Sequence, residues 1–258
     1  MDLVLAGKTI IVGGSSRGIG KAISAAFLDE NARVVLTGRN ETDLEAAREE
    51  LGRGRADRVM AIAGDLTDRT ACNRLMTEAI GQWGRIDCVV ANAGSGRGTA
   101  GWAIPADEWT EMLQRNLWPG IGLVEAALPR MIEAGDGNVV MIGSIAGQES
   151  IGAPIAYAVA KSAIASYCKN LARAVGPHGI RVNCVAPGNV LFSGGTWDRK
   201  LKENPIAVQE YIEREVPLNR FASPEEIADI VVFLASARAS FITGSCIVAD
   251  GGQTRGGH

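Results

Sequence analysis

The chain has 258 residues, 47% of them hydrophobic, and a net charge of −3 with both signs mixed along its length. That much apolar material suits one large core-bearing domain and excludes a disordered chain, and the lack of any basic block argues against a nucleic-acid partner. The five cysteines (Cys72, Cys88, Cys168, Cys184, Cys246) are odd in number and never spaced as Cys-x2-Cys, and the histidines are only His178 and His258. Neither a disulfide framework nor a zinc site is expected, and the thiols read as small buried hydrophobes of a reducing compartment.

Taken in chain order, residues 1–8 carry no basic segment followed by a signal-like apolar run, and no stretch approaches 18 apolar residues. A soluble cytoplasmic protein without membrane contact is expected. Short, nearly continuous apolar runs predict strands at 9–13, 33–37, 59–63, 86–91, 138–143, 181–186 and 246–249. Runs of this kind are buried on both faces, which implies a parallel sheet covered by helices. Helical patterns fill the gaps at 18–31, 41–51, 70–83, 106–134 and 155–175, with Thr67 or Asp68 as the cap of the third. A last helix over 227–236 follows Ser223-Pro224-Glu225-Glu226, with Ser at the N-cap, Pro at N1 and acids in the first turn. The alternation gives an α/β, doubly wound parallel sheet of about seven strands in a single domain spanning 1–258. Residues 189–217 break the alternation and read as an irregular substrate-binding loop or lid, or else as an ordinary connection.

The first strand runs into Gly13-Gly14-Ser15-Ser16-Arg17-Gly18-Ile19-Gly20. Gly14, Gly18 and Gly20 permit a tight turn, a close backbone approach and close helix packing, and the helix opening there offers free N–H groups to a phosphate. Tyr157 and Lys161 stand four apart in an alanine-rich helical run and share one face. An ammonium beside a phenol favours the phenolate and lowers its pKa from about 10. Ser144 follows the apolar run Val139-Val140-Met141-Ile142, which sets its hydroxyl at the end of a buried strand.

Gly14-x3-Gly18-Ile19-Gly20, Ala91-Asn92-Ala93-Gly94, Asn116, Ser144, Tyr157-x3-Lys161 and Pro187-Gly188 stand in the order and spacing of the classical short-chain dehydrogenases/reductases. The chain resembles that family over essentially its whole length, including its 3-oxoacyl-carrier-protein reductase-like members. The resemblance implies a single-domain Rossmann fold and hydride transfer between a nicotinamide cofactor and a carbonyl or secondary alcohol. It assigns Tyr157 as proton donor and acceptor, Lys161 as the group that lowers the Tyr157 pKa and holds the nicotinamide ribose, and Ser144 as a hydrogen-bond partner of the substrate oxygen. Asn116 would hold a water that links Lys161 to solvent. Pro119 cannot donate to the Arg115 carbonyl, so a kink near Asn116 is expected. Cofactor contacts are expected from Gly14, Ser16, Arg17, Gly18, Ile19, Gly20, Arg39, Asp65, Leu66, Asn92, Gly94, Pro187, Gly188 and the Val190 backbone, besides Tyr157 and Lys161.

The sequence also departs from the family pattern. Gly38 and Arg39 stand after the second strand where an acidic residue would bind ribose hydroxyls. With Arg17 in the glycine turn, two guanidiniums favour the 2′-phosphate of NADP(H) over NAD(H), or else are two solvated arginines. Asp65 either contacts adenine or caps a helix, and both roles are compatible. Ala91 replaces a common Asn and Gly13 a common Thr. Phe192 stands where the family carries a Thr that touches the carboxamide. Phe192, Trp197 and Trp102 suggest an aromatic-lined substrate cavity, or else core packing, and Gln148 and Glu149 add polar candidates. Arg97, Arg130 and Arg173 are candidates for a basic rim toward an acidic acyl carrier protein. Family members commonly assemble as tetramers through the last strand, so a homotetramer or homodimer is expected, and the tail 253–258 has the reach to touch a neighbour. A third alternative is an NADP(H)-binding regulator without turnover.

Overall fold

A computed structural model describes residues 2–256; the last two residues of the tail fall outside them. Seven strands form one parallel sheet: β1 (Thr9–Gly13), β2 (Arg33–Gly38), β3 (Val59–Ala63), β4 (Cys88–Ala91), β5 (Gly137–Ile142), β6 (Ile180–Pro187) and β7 (Cys246–Ala249). Their order is β3-β2-β1-β4-β5-β6-β7, with every pairing parallel. The chain winds outward from β1 in one direction and from β4 in the other. The crevice at the carboxyl ends of β1 and β4 is therefore the switch point where such sheets bind ligands.

Helices cover both faces because successive strand side chains point to opposite sides. Ile10 and Val12 pack with α1 (Gly18–Asp29), α2 (Glu41–Leu51) and α9 (Pro224–Ala235). Ile11 and Val35 pack with α3 (Arg69–Trp83), α5 (Trp118–Ala134) and α6 (Ile155–Val175). The caps follow the sequence: Asp68 accepts from the N–H groups of Thr70 and Ala71, and Ser223 and Glu226 close a capping box at α9. Such caps contribute about 1 kcal/mol each.

Two segments differ from the periodicity. The pattern over 106–134 is two helices, α4 (Ala106–Asn116) and α5, parted at Leu117. Pro119 sits in the first turn of α5, and Gly120 N–H donates to the Leu117 carbonyl rather than one residue further back. The Asn116 carbonyl thereby loses its helical donor, which is the expected kink taken to a full break. Within 189–217 the chain forms α7 (Thr196–Glu203) and α8 (Pro205–Glu215) where an irregular loop was expected. Trp197 and Leu201 are the only large apolar residues of α7, and Pro205 opens α8, so neither helix shows a long apolar stripe.

Candidate active site

The glycine turn is tied to the end of β2. Gly14 and Ser15 donate from their N–H groups to the Thr37 carbonyl at 2.8 and 3.2 Å, and Thr37 N–H donates to Ser15 Oγ at 2.9 Å. Asn92 Nδ2 donates to the carbonyls of Gly13 and Gly14 at 3.2 and 3.1 Å, which joins the turn to the end of β4. A Cβ on Gly20 would fall inside contact distance of the Gly14 oxygen and 2.5 Å from Asn92 Nδ2. Only glycine lets α1 start this close to the turn. Arg17 is the N-cap of α1 and supplies no side-chain cap, and the first turn holds no acid. The opening N–H groups of α1 are thus left for an anion, and Gly14, Ser16, Gly18 and Ile19 border that cradle. Gly13 has Leu123 and Leu66 packed where the common Thr would stand, each 3.2 Å from the place of its Cβ.

Arg17 and Arg39 are both exposed, and the Thr37 ties place the two guanidiniums on the same end of the sheet. Among the described residues neither has a carboxylate partner. Asp65 does not cap α3; its carboxylate accepts from Thr67 N–H and Oγ at 2.9 and 2.8 Å, beside the same edge. The Leu66 side chain is buried in the core against Gly13, and its carbonyl accepts from Cys72 Sγ at 3.4 Å.

Ser144 ends β5 and accepts from Ala146 N–H at 3.1 Å as the cap of a short turn. Gly147 lets that turn press onto α6, since a Cβ there would lie 2.6 Å from Lys161 backbone. Tyr157, in the first turn of α6, is thereby brought beside the Ser144 side chain. Its ring rests against Gly96. One turn on, Lys161 is 5% exposed and its Nζ donates to the Ile142 carbonyl at 2.8 Å. Asn116, buried at the α4–α5 break, accepts from Ser95 N–H at 2.8 Å and donates to the Met112 carbonyl at 3.1 Å. Gly94 packs between the two: a Cβ there would lie 2.8 Å from Asn116 Oδ1 and 3.4 Å from Lys161 Nζ.

Electrostatics here run against one expectation. Burial pushes the Tyr157 hydroxyl above its ordinary range, and the Ser144 hydrogen bond pulls it only partly back. Burial brings Lys161 down to about 8. Lys161 Nζ lies 5.9 Å from the centre of the Tyr157 ring and is engaged by Ile142, so in this geometry desolvation outweighs its charge at the phenol.

At the end of β6, Gly188 N–H donates to the Ala249 carbonyl at 2.9 Å, and a Cβ on Gly188 would lie 2.8 Å from Asp250 Cα. Val190 bridges Ala222 through its neighbours: Ala222 N–H donates to Asn189 and Leu191 N–H donates to Ala222. That pattern turns the N–H and carbonyl of Val190 to the other edge. The Phe192 ring packs onto Gly18, where a Cβ would meet it at 2.6 Å. Trp197 stacks with Tyr211 and Phe221, ring centres 4.8 and 4.5 Å away, and donates to Asn189 Oδ1 at 2.9 Å. It is the centre of a small core beneath α7 and α8 rather than a bare cavity wall.

Other assignments move away from the centre. Trp102 is 88% exposed. Gln148 Nε2 donates to Cys246 Sγ at 3.0 Å, and Glu149 accepts from the N–H groups of Arg255 and Gly256. Both line a cleft of about 330 Å³ whose α6 residues Ile155, Ala158, Val159 and Ser162 lie on a different face from Tyr157. Arg97 borders a second cleft of about 420 Å³ with Arg115, Glu108 and Glu111. Arg130 pairs with Glu133 near the end of α5, and Arg173 is in the last turn of α6. Helices run antiparallel to the strands they join, so both lie at the opposite sheet edge and make no rim with Arg97. Sequence reasoning missed Asn189, Tyr211 and Gln253. Asn189 Nδ2 donates to Tyr211 Oη and Gln253 Oε1 at 3.1 and 2.9 Å, and Gln253 Nε2 donates to Tyr211 Oη at 2.7 Å. Their sequence separations of 22 to 64 residues left no local signal.

A glycine-turn anion cradle at the switch point and a Ser–Tyr–Lys–Asn cluster one strand away define a nucleotide-binding oxidoreductase fold. The family model described as enoyl-(acyl carrier protein) reductase matches residues 14–254. A 3-oxoacyl-[acyl-carrier-protein] reductase of Chlamydia muridarum is 34% identical over 98% of this chain and all of its own length. A cyclohexanol dehydrogenase of Rhodococcus sp. is likewise 34% identical, over 98% of each chain. Among solved structures, the L-sorbose reductase of Gluconobacter frateurii, complexed with NADPH and L-sorbose, superposes at a TM-score of 0.89 with 30% identity, covering 99% of this chain and 100% of its own. The chain belongs to the short-chain dehydrogenase/reductase family of oxidoreductases. No helix among the described residues is long and apolar enough to cross a membrane.

Proposed function

We propose that this protein is an NADP(H)-dependent oxidoreductase that reduces the carbonyl of a small ketone or aldehyde, or oxidises the corresponding secondary alcohol. The observation that carries the reading is that Ser144, Tyr157, Lys161 and Asn116 gather at the carboxyl ends of β4 and β5, with the uncapped start of α1 at the end of β1. The glycine cradle fits a dinucleotide pyrophosphate, exposed Arg17 and Arg39 suit a 2′-phosphate, and the freed peptide edge of Val190 suits a carboxamide. The bound dinucleotide would supply or accept the hydride at the substrate carbon. Tyr157 gives its proton to the carbonyl oxygen, and Ser144 donates to the same oxygen as charge develops. Lys161 and Asn116, joined over Gly94, hold the proton path behind Tyr157. Residues 189–217 supply the cover over the substrate.

The relatives named as acyl-carrier reductases support a carrier-bound 3-oxoacyl substrate as the second reading. The charges favour the first, because Arg130 and Arg173 lie at the far edge. Assembly as a homotetramer or homodimer is supported by β7, an edge strand with all four residues half-buried, and by the fully exposed Phe241 before it. Five free cysteines support a cytoplasmic setting. The test is NADPH and NADH oxidation across small ketones, sugars, aldehydes and acyl thioesters. Turnover of a free carbonyl, with NADPH at least tenfold better than NADH, is expected. Tight NADPH binding with no consumption on any substrate would favour a regulator instead.

A further inference from the structure

The turn 192–195 folds over Gly18: the edge of the Phe192 ring lies where a Gly18 Cβ would stand, at 2.6 to 3.0 Å from it. The same turn closes on itself, with Gly195 N–H donating to the Phe192 carbonyl at 3.0 Å and Gly194 N–H donating to Asp198 at 2.8 Å. Arg17 Nη1 reaches within 3.8 Å of the place of a Gly194 Cβ, so both ends of the turn touch the glycine loop. The root of the turn is fixed by Asn189, whose amide is held by Trp197, Tyr211 and Gln253. A bulky ring therefore lies across the Gly18 end of the N–H cradle, carried on a segment with its own small core.

We propose that Phe192 is a gate on the dinucleotide site: the pyrophosphate and the Phe192 ring compete for the Gly18 face, and the ring leaves it together with the 192–195 turn and α7 when the dinucleotide enters. This rests on the dinucleotide reading above. The gate couples cofactor entry to the substrate cover, because Trp197 lies one turn from the ring and is bonded to Asn189 at the root of the same turn. A phenyl group has no donor for the pyrophosphate, so its effect is to slow and weaken binding rather than to assist it.

The test is stopped-flow binding of NADPH to the full-length wild type, Phe192→Ala and Phe192→Thr, followed by nucleotide fluorescence and, separately, by tryptophan fluorescence with a Trp197→Phe control. The wild-type rate should level off at high NADPH, and the Trp197-dependent signal should change with the same rate. Both Phe192 variants should lose the plateau, bind about tenfold faster and show a several-fold lower Kd. Equal or slower binding by both variants overturns the gate while leaving the dinucleotide reading intact. Failure of the wild type and both variants to bind NADPH or NADH overturns the dinucleotide reading and the gate with it.

Discussion

The wall that carries Ser144, Tyr157 and Lys161 and the cover formed by residues 189–217 border the same crevice but are held by different means. The wall rests on β5 and the middle of α6, where Val140, Met141 and Ile164 are buried in the main cores. Its polar groups are spoken for one by one: Lys161 by Ile142, Asn116 by Ser95 and Met112, Ser144 by Ala146. The cover has a satellite core of Val208, Val216 and Phe221 with the Trp197 and Tyr211 rings, four polar side chains as ties, and Ile206 and Leu218 left in solvent. Chemistry needing sub-ångström placement sits on the part that cannot move cheaply. On the proposed function, selection of ligands falls to the part that can.

Disturbing the wall should cost most. Gly94→Ala drives a methyl against Asn116 and Lys161, and a shift near 1 Å in catalytic groups is worth about 100-fold in rate. A fall of that order in kcat is expected with the Kd for NADPH within about threefold, read by steady-state kinetics and calorimetry. A loss confined to cofactor affinity would break the contrast.

Lys161→Met separates stability from chemistry in the same wall. Lowering a buried lysine from 10.5 to about 8 corresponds to a penalty of roughly 3 kcal/mol in the charged state. The lost hydrogen bond to Ile142 returns about 1 kcal/mol of that, so the variant should be inactive yet about 2 kcal/mol more stable below pH 8. The sign reverses with pH as follows. Between 8 and 10.5 the unfolded wild type binds the extra proton, so the wild type gains stability as pH rises and the advantage of the variant shrinks. Cys72 and Tyr167, pushed up to about 11 and 12, act oppositely but equally in both proteins, so the difference in Tm isolates Lys161. A constant difference from pH 7 to 10 would contradict the assignment.

The smallest global effect should come from the cover. Trp197→Ala removes the stacked ring and the tie to Asn189, yet it should lower the main unfolding transition by no more than about 1 kcal/mol, since the satellite core opens independently. Amide exchange over 196–216 should rise at least tenfold while β4 and β5 keep their protection. Equal loss of protection in both regions would show one cooperative unit.

The two regions also differ in how far the sequence discloses them. Continuous apolar runs such as Val139-Val140-Met141-Ile142 marked the sheet, and glycines forced by backbone contact, Gly14 and Gly20, marked the cradle. The break at Leu117 was legible through Pro119 because proline acts locally. The cover was not. Its first helix, α7, carries charges at most positions, and its order depends on partners far along the chain, such as Gln253 on Asn189. Trp102 illustrates the same limit in reverse: an aromatic residue in a glycine-rich loop has no local feature that tells a pocket wall from an exposed side chain, and this one faces solvent. The direction of the Tyr157 pKa was also out of reach, because it turns on whether Lys161 Nζ reaches the phenol or the Ile142 carbonyl.

The central claim is that Tyr157, beside Ser144, is the proton donor at the dinucleotide site. Tyr157→Phe keeps the ring against Gly96 and removes only the hydroxyl. Carbonyl reduction by this variant, measured beside NADPH affinity, tests the claim most directly. The prediction is a fall in kcat of at least about 1,000-fold, the upper part of the range for losing a general acid, with the Kd for NADPH unchanged within about threefold; full reductase activity in the variant would contradict it.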